Sequence, residues 1–155
     1  DAIKLEGGKK IAKIIKYLVN KKIKVMGHIG LLPQYSKKFK LMGRDFQQRK
    51  NIYKDAVAVS NAGAFAIVIE CVVKDLAKKI TRNIKVPTIG IGSSKYCDGQ
   101  ILVIDDMLGL TNFSPKFVKR YANLNNIIIR SIKRYVEDVK LRKFPSLKNT
   151  YTQTT

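Results

Sequence analysis

Short β-branched apolar runs, separated by stretches of helical periodicity, are what most limit the folds open to this chain. The runs are Ala2–Leu5, Ile23–Met26, Phe65–Ile69, Val86–Ile91 and Ile101–Ile104. Such brief segments rich in Ile and Val favour strands. None alternates cleanly between apolar and polar residues, so burial on both faces is expected, as in a parallel sheet. Between them, Lys9–Asn20 carries Ile11, Ile14, Ile15 and Leu18 at i, i+3, i+4 and i+7. Arg44–Ala62 repeats the pattern with Ile52, Ala56 and Val59, and Gly63 follows as a stop. Val73–Ile80 repeats it with Leu76, Ala77 and Ile80, and Asn125–Val139 with Ile128, Ile132, Tyr135 and Val139. Strands alternating with helices predict an α/β protein with a parallel sheet.

The polar residues sit where the predicted strands end. Lys4 and Glu6 close the first, before Gly7-Gly8. His28, the only histidine of the 155 residues, closes the second within "GHIGLLPQ". Glu70 closes the third within "IVIECV", "GIGSS" follows the fourth, and Asp105-Asp106 follow the fifth. All carboxyl-terminal strand ends of a parallel sheet share one rim, where barrels and open α/β sheets place ligands and catalysts. Lys4 and Glu6 are two apart and share a face, either as a solvated pair or as site residues. His28 between two glycines is either a satisfied core histidine or a site residue. Glu70, following four apolar residues, is expected to be partly buried. Burial of a carboxylate is costly unless paired, and desolvation suits a general base working near neutral pH. Asp105 and Asp106 are expected to begin a turn or cap a helix. "GIGSS" lacks the spacing of a complete phosphate loop. Phe117 and Tyr121 in "PKFVKRYANL" are four apart and are expected to face a core.

The formal net charge is +20, from 31 basic and 11 acidic residues. That balance raises the class of nucleic-acid binders. However, the basic residues are mostly Lys and run through every segment, alongside abundant Ile and Asn. Compositional drift therefore outweighs a basic patch, since no RNP, zinc-finger or arginine-rich pattern accompanies the charge. Cys71 and Cys97 have neither metal nor disulfide-framework spacing, which favours a reducing, cytoplasmic setting. No apolar run approaches the ~20 residues of a membrane span, and no signal-peptide pattern opens the sequence.

Taken in order, "IKLEGG", "GHIGLLPQ", "IVIECV", "VPTIGIGSS", "CDGQILVIDDMLGL" and "SPKFVKRYANL" resemble the ketopantoate hydroxymethyltransferase family from residue 2 to about Pro145. The resemblance implies a (β/α)8 TIM barrel, of which this chain covers about strands four to eight with their helices. Residues 1–145 would then be the C-terminal part of one barrel domain, and 146–155 a flexible tail. It implies transfer of a hydroxymethyl group from 5,10-methylenetetrahydrofolate to 3-methyl-2-oxobutanoate, through an enolate stabilised by Mg²⁺, giving 2-dehydropantoate for pantothenate and coenzyme A. By the same resemblance Lys4 binds the keto acid, Glu6 is a Mg²⁺ ligand, Glu70 is the general base, and His28 positions or hydrogen-bonds. Two further aspartate ligands to the ion and a substrate-binding serine are expected outside these residues. A chain with one metal carboxylate and two open sheet edges is expected to be inactive alone. It would be completed by further sequence or by a second chain, within a homo-oligomer that is a decamer in bacteria. Met42 in "KKFKLMGRD" and Ser94 in "GIGSS" depart from the family pattern, and bear on the folate side more than on the base. The readings kept beside this one are a basic nucleic-acid-binding or repurposed remnant of the barrel, and another keto-acid enzyme of the same superfamily.

Overall fold

The computed structural model describes residues 1–36 and 38–151. The chain divides into two compact units, the first Asp1–Leu102 and the second starting at Val103. In the first, β1 (Ala2–Glu6) leads through a 3-10 turn, Lys9–Ile11, into α1 (Ala12–Asn20). Then follow β2 (Lys24–Gly30), α2 (Phe46–Asn61), β3 (Ala66–Glu70), α3 (Lys74–Asn83), β4 (Thr88–Ile91) and β5 (Gly99–Gln100). The five strands form one sheet in the order β1-β2-β3-β4-β5, with every pairing parallel. Spatial order therefore equals chain order, without the reversal that marks a doubly wound sheet. Among the described residues β1 and β5 each pair on one side only.

The pleat sorts the side chains onto two faces. Val25, Ile29, Ile67 and Ile69 point to the helices, where they form one core with Ile15, Ile52, Ala56, Val59, Leu76, Ala77 and Ile80. Burying each such Ile or Val stabilises the fold by about 1.5–3 kcal/mol relative to exposure. Gly27 brings α2 directly onto β2, since a Cβ there would lie 2.3 Å from Val59 Cγ1. The opposite face carries Lys4, Glu6, Met26, His28, Val68 and Glu70, matched by register: Glu6 lies beside His28, and His28 beside Val68.

Helix α2 starts at Phe46, slightly later than its periodicity alone suggests, because Asp45 caps it. The Asp45 carboxylate accepts the Gln48 N–H at 2.8 Å, and the Gln48 side chain in turn accepts the Gly43 N–H at 3.1 Å. Asp75, in the first turn of α3, pairs with Arg49 of α2 and so ties the two helices.

Two expectations are corrected in the sheet. The second strand does not stop near Met26 but continues to Gly30, so His28 lies inside it. The fifth strand is Gly99–Gln100 rather than Ile101–Ile104. β4 ends at Ile91, and its ladder with β5 runs out one bond later, where Ile101 N–H donates to Gly90 O at 3.0 Å. Without a partner strand, the β-propensity of Ile101–Ile104 has nothing to act on.

In the second unit, α4 (Ile104–Met107) carries Asp105 and Asp106 in its first turn, where acids suit the helix dipole. They sit inside the first turn rather than capping it: the cap position is Val103, and no side chain makes a cap bond there. Helix α5 spans Leu124–Lys140, and Leu124 N–H donates to Leu108 O at 3.0 Å. Tyr121 is 66% exposed, against the expectation that it faces a core. A capped 3-10 turn, Leu147–Asn149, lies within the stretch expected as a tail, and residues 152–155 of that stretch fall outside the described residues.

Candidate active site

Lys4, Glu6, His28 and Glu70 converge on the second face of the sheet, toward its carboxyl rim. Parallel register places them. Glu6 and His28 are paired positions on β1 and β2, and Glu70 on β3 pairs with Gly30, two residues beyond His28. His28 is 1% exposed and lies between the two carboxylates. Its Nδ1 is 3.4 Å from Glu6 Oε1, and its Nε2 is 3.0 Å from Glu70 Oε2. Lys4 Nζ lies 3.3 Å from His28 Nδ1 and 3.8 Å from Glu6 Oε1. Glu6 Oε2 accepts the backbone N–H of Gln34 at 3.1 Å.

Burial divides these groups by what they can do. The Glu6 side chain is 4% exposed, while that of Lys4 is 49% exposed. Glu6 is therefore no solvated partner at a strand end. Its charge is met by the Lys4 ammonium and the Gln34 N–H, as a buried carboxylate requires. Glu70 keeps 14% of its side chain open, and its Oε2 lies near His28 Nε2, which is buried without a hydrogen-bond partner among the described residues.

Three features missed in the sequence build the rim around Glu70. Gly30 adopts φ +92°, and Leu31 N–H donates to Glu70 O at 2.8 Å. Cys71, directly after Glu70, adopts φ +52°, a left-handed conformation that costs a non-glycine residue about 1–2 kcal/mol. It is held there because its N–H donates to Ile91 O at 2.9 Å and its carbonyl accepts Met42 N–H at 2.7 Å. The Cys71 thiol is pushed up to about 12, first by burial and then by the Glu70 charge. The third is Gln34, whose N–H reaches Glu6 from the 3-10 turn Pro33–Tyr35; the Pro in "GLLPQ" was the available signal for that turn.

The two departures have defined places. Met42 forms a parallel bridge with Val72 through its backbone, and its side chain packs against the core. Ser94 is buried, with its hydroxyl accepting Tyr96 N–H at 3.3 Å and its carbonyl accepting Gln100 Nε2–H at 2.8 Å. A short cavity also opens beside the rim between Gly8, Leu32, Met42 and Asp55.

Among the described residues no group of three His, Cys, Asp or Glu side chains is arranged to hold a metal ion. Glu6 is the carboxylate expected to bind Mg²⁺. It alone does not make such a site: Mg²⁺ demands near-octahedral oxygen coordination, and Glu6 faces an ammonium and an imidazole instead.

A parallel sheet in chain order, with an ammonium, two carboxylates and an imidazole gathered at the carboxyl end of three adjacent strands, is the layout on which α/β enzymes build sites for small anions. The match to known proteins narrows this. The chain belongs to the ketopantoate hydroxymethyltransferase family, whose model matches residues 1–147. It is 51% identical over 151 residues to the 3-methyl-2-oxobutanoate hydroxymethyltransferase of Pelagibacter ubique (strain HTCC1062), covering 97% of this chain and 59% of that protein. It is 50% identical over 155 residues to the protein of the same name from Carboxydothermus hydrogenoformans, covering 97% and 56%. The chain thus spans somewhat more than half the length of these relatives. Among the described residues no helix is long and apolar enough to cross a membrane.

Proposed function

We propose that this protein transfers a hydroxymethyl group from 5,10-methylenetetrahydrofolate to 3-methyl-2-oxobutanoate. The observation that supports it most directly is Glu70, a partly open carboxylate held 3.0 Å from a buried imidazole at the rim. In this reading the Lys4 ammonium receives the carboxylate of the keto acid, a role its exposed position suits. Glu70 takes the proton from C3, leaving an enolate whose C3 bonds to the methylene carbon of the folate; the carbon–nitrogen bonds to that carbon break, tetrahydrofolate leaves, and water supplies the hydroxyl oxygen. The Lys4 ammonium offsets the developing negative charge by its opposite charge. Glu6 holds Lys4 and His28 in place, and further oxygen ligands outside these residues would be needed for it to take part in a Mg²⁺ site. The sequential strand order supports reading the sheet as strands four to eight of a (β/α)8 barrel. Two buried free cysteines suit a reducing cytoplasm.

The test is the proton step by itself. The keto acid is incubated in D2O with the protein completed by its further sequence or second chain, and loss of the C3 proton is followed by NMR without folate. Glu70→Gln should slow exchange by about 100-fold or more while keto-acid binding persists. Exchange at the native rate in that variant would remove Glu70 from the role. The nucleic-acid reading draws on net charge alone. It predicts retention on DNA that weakens steeply with salt, and should fail at physiological ionic strength.

A further inference from the structure

Resting on the proposed hydroxymethyl transfer, we infer that the cavity beside the rim is the subsite for the pterin ring of the folate, with Asp55 reading the ring's 2-amino and N3–H edge. The cavity holds about 280 Å³ and lies between α2 and the turns that end β1 and β2. Ligand clefts run from roughly 300 to 1,000 Å³, so this one suits a single ring system and leaves the rest of a folate outside. Gly30 lines it and is the paired position of Glu70 in the ladder of β2 and β3. Paired strands lie about 4.8 Å apart. A ring seated there is therefore one strand away from the candidate base.

Gln48, Asn51, Ile52 and Asp55 follow the spacing of one helix face, and all four line the cavity. Ile52 is buried, and the same face runs on into the core with Ala56 and Val59. Packing alone does not call for three polar residues there. Their hydrogen bonds leave a defined pattern. Asp55 Oδ1 accepts Lys9 N–H at 2.8 Å, and Gly8 permits this because a Cβ there would fall on the Asp55 carboxyl. Asp55 Oδ2 has no hydrogen-bond partner among the described residues. Gln48 Oε1 accepts Gly43 N–H at 3.1 Å, and Asn51 Oδ1 accepts Gln47 Nε2–H at 3.1 Å. The carbonyls of both amides are engaged, so what they keep to offer is N–H. The cavity thus presents a carboxylate acceptor beside amide donors. Its complement is a planar edge with two adjacent N–H donors next to a carbonyl. A pterin carries that edge: its 2-amino group and N3–H donate to Asp55, and O4 accepts from Asn51, one helical turn away. Such paired bonds to a carboxylate are strong and geometrically specific. Leu32, Met42 and Ile52 supply apolar contact for the faces of the ring.

Calorimetric titration of tetrahydrofolate, under reducing conditions, into the protein completed by its further sequence or second chain reads the subsite without turnover. Asp55→Asn keeps an oxygen for Lys9 N–H but turns an amide N–H toward the ring's own donors. It should weaken tetrahydrofolate binding about 10- to 100-fold at an unchanged Tm. The 2-desamino-2-methyl analogue of tetrahydrofolate separates recognition from folding. Loss of the amino group should weaken binding to the native protein about 10-fold, and binding to Asp55→Asn hardly at all, because its partner is already gone. Asn51→Ala, at an exposed position, should weaken binding of both ligands alike, since it removes the donor to the O4 they share. Native affinity in Asp55→Asn or in Asn51→Ala, or an equal loss from both proteins when the amino group is removed, would overturn the subsite and leave the hydroxymethyl transfer standing. Failure of the native protein to bind tetrahydrofolate would overturn the transfer and the subsite together.

Discussion

Gly30→Ala isolates the backbone that carries the candidate base. Gly30 has φ +92°, and a Cβ there would lie 2.2 Å from Glu70 O and 2.6 Å from Val72 Cγ2. A carbon normally stays about 3.3 Å from a carbonyl oxygen, so roughly 1 Å of separation must be found. The Glu70 carbonyl cannot yield freely. It accepts Leu31 N–H at 2.8 Å, and the next residue is pinned by Cys71 N–H to Ile91 O at 2.9 Å. The positive φ costs alanine about 1–2 kcal/mol. Losing the Leu31 bond costs about 1 kcal/mol. The forced shift in a packed region adds about 1–3 kcal/mol. The expected loss, about 3–6 kcal/mol, is a large part of a typical domain's stability. At roughly 2–4 °C per kcal/mol for a chain of this size, Tm should fall by about 10 °C. Gly99→Ala is the control: its added methyl would meet only Ile89 Cγ1, at 3.8 Å, and should cost about 1 kcal/mol or less. Thermal unfolding by circular dichroism compares the two, and exchange of the C3 proton reports displacement of Glu70. A Gly30→Ala protein that melts with Gly99→Ala and exchanges at the native rate would refute the reasoning.

Three other outcomes follow from the described contacts. Cys71, with its thiol pushed up to about 12 by burial and by Glu70, should resist iodoacetamide at a pH of about 8 in the folded protein and react once denatured, as peptide mass mapping will show. Asp98 accepts both Thr88 N–H at 2.8 Å and Thr88 Oγ1–H at 3.0 Å, and Thr88 is fully buried. Asp98→Ala should therefore lower stability to urea by about 2–3 kcal/mol, and Asp98→Asn by less. Arg49 holds the Asp75 carboxyl below its ordinary value of 3.8. Its share of stability is thus present above that pH and lost as pH falls below it. The pair is exposed, so the effect is small and salt-sensitive, and Asp75→Asn should flatten the acid limb of the stability curve only at low ionic strength.

Where local pattern and tertiary partner agree, the fold was legible. Ile11, Ile14, Ile15 and Leu18 announced α1, although Ile14 is exposed, and the apolar run before Glu70 announced β3 within one residue of its bounds. The Ile101–Ile104 run misled because strand propensity acts only where a neighbour supplies a ladder, and β4 has ended by then. The site was legible as a set of residue types at strand ends. Its wiring was not, because register is a property of pairs of strands. Nothing in "GHIG" states that His28 lies level with Glu6 and two positions short of Glu70's partner, or that Gln34 returns its N–H to Glu6. The Asp45–Gln48 cap, by contrast, is a local pattern whose spacing alone carries the signal.

Because spatial order equals chain order, the time at which the site forms can be argued from loop lengths. Ala2 pairs with Lys24, Ile67 with Thr88 and Ile89 with Gly99, so those closures span 22, 21 and 10 residues. Met26 pairs with Ala66, a closure of 40. One doubling of loop length adds about 0.6 kcal/mol of closure entropy, so β2 meeting β3 is the costliest junction in the sheet. It is also the junction that brings His28 to Glu70. The β1–α1–β2 unit, carrying Lys4, Glu6 and His28, can assemble first and wait. The base joins when the longest loop closes, so acquisition of the complete acid–base cluster reports that the costliest closure of the sheet has been made.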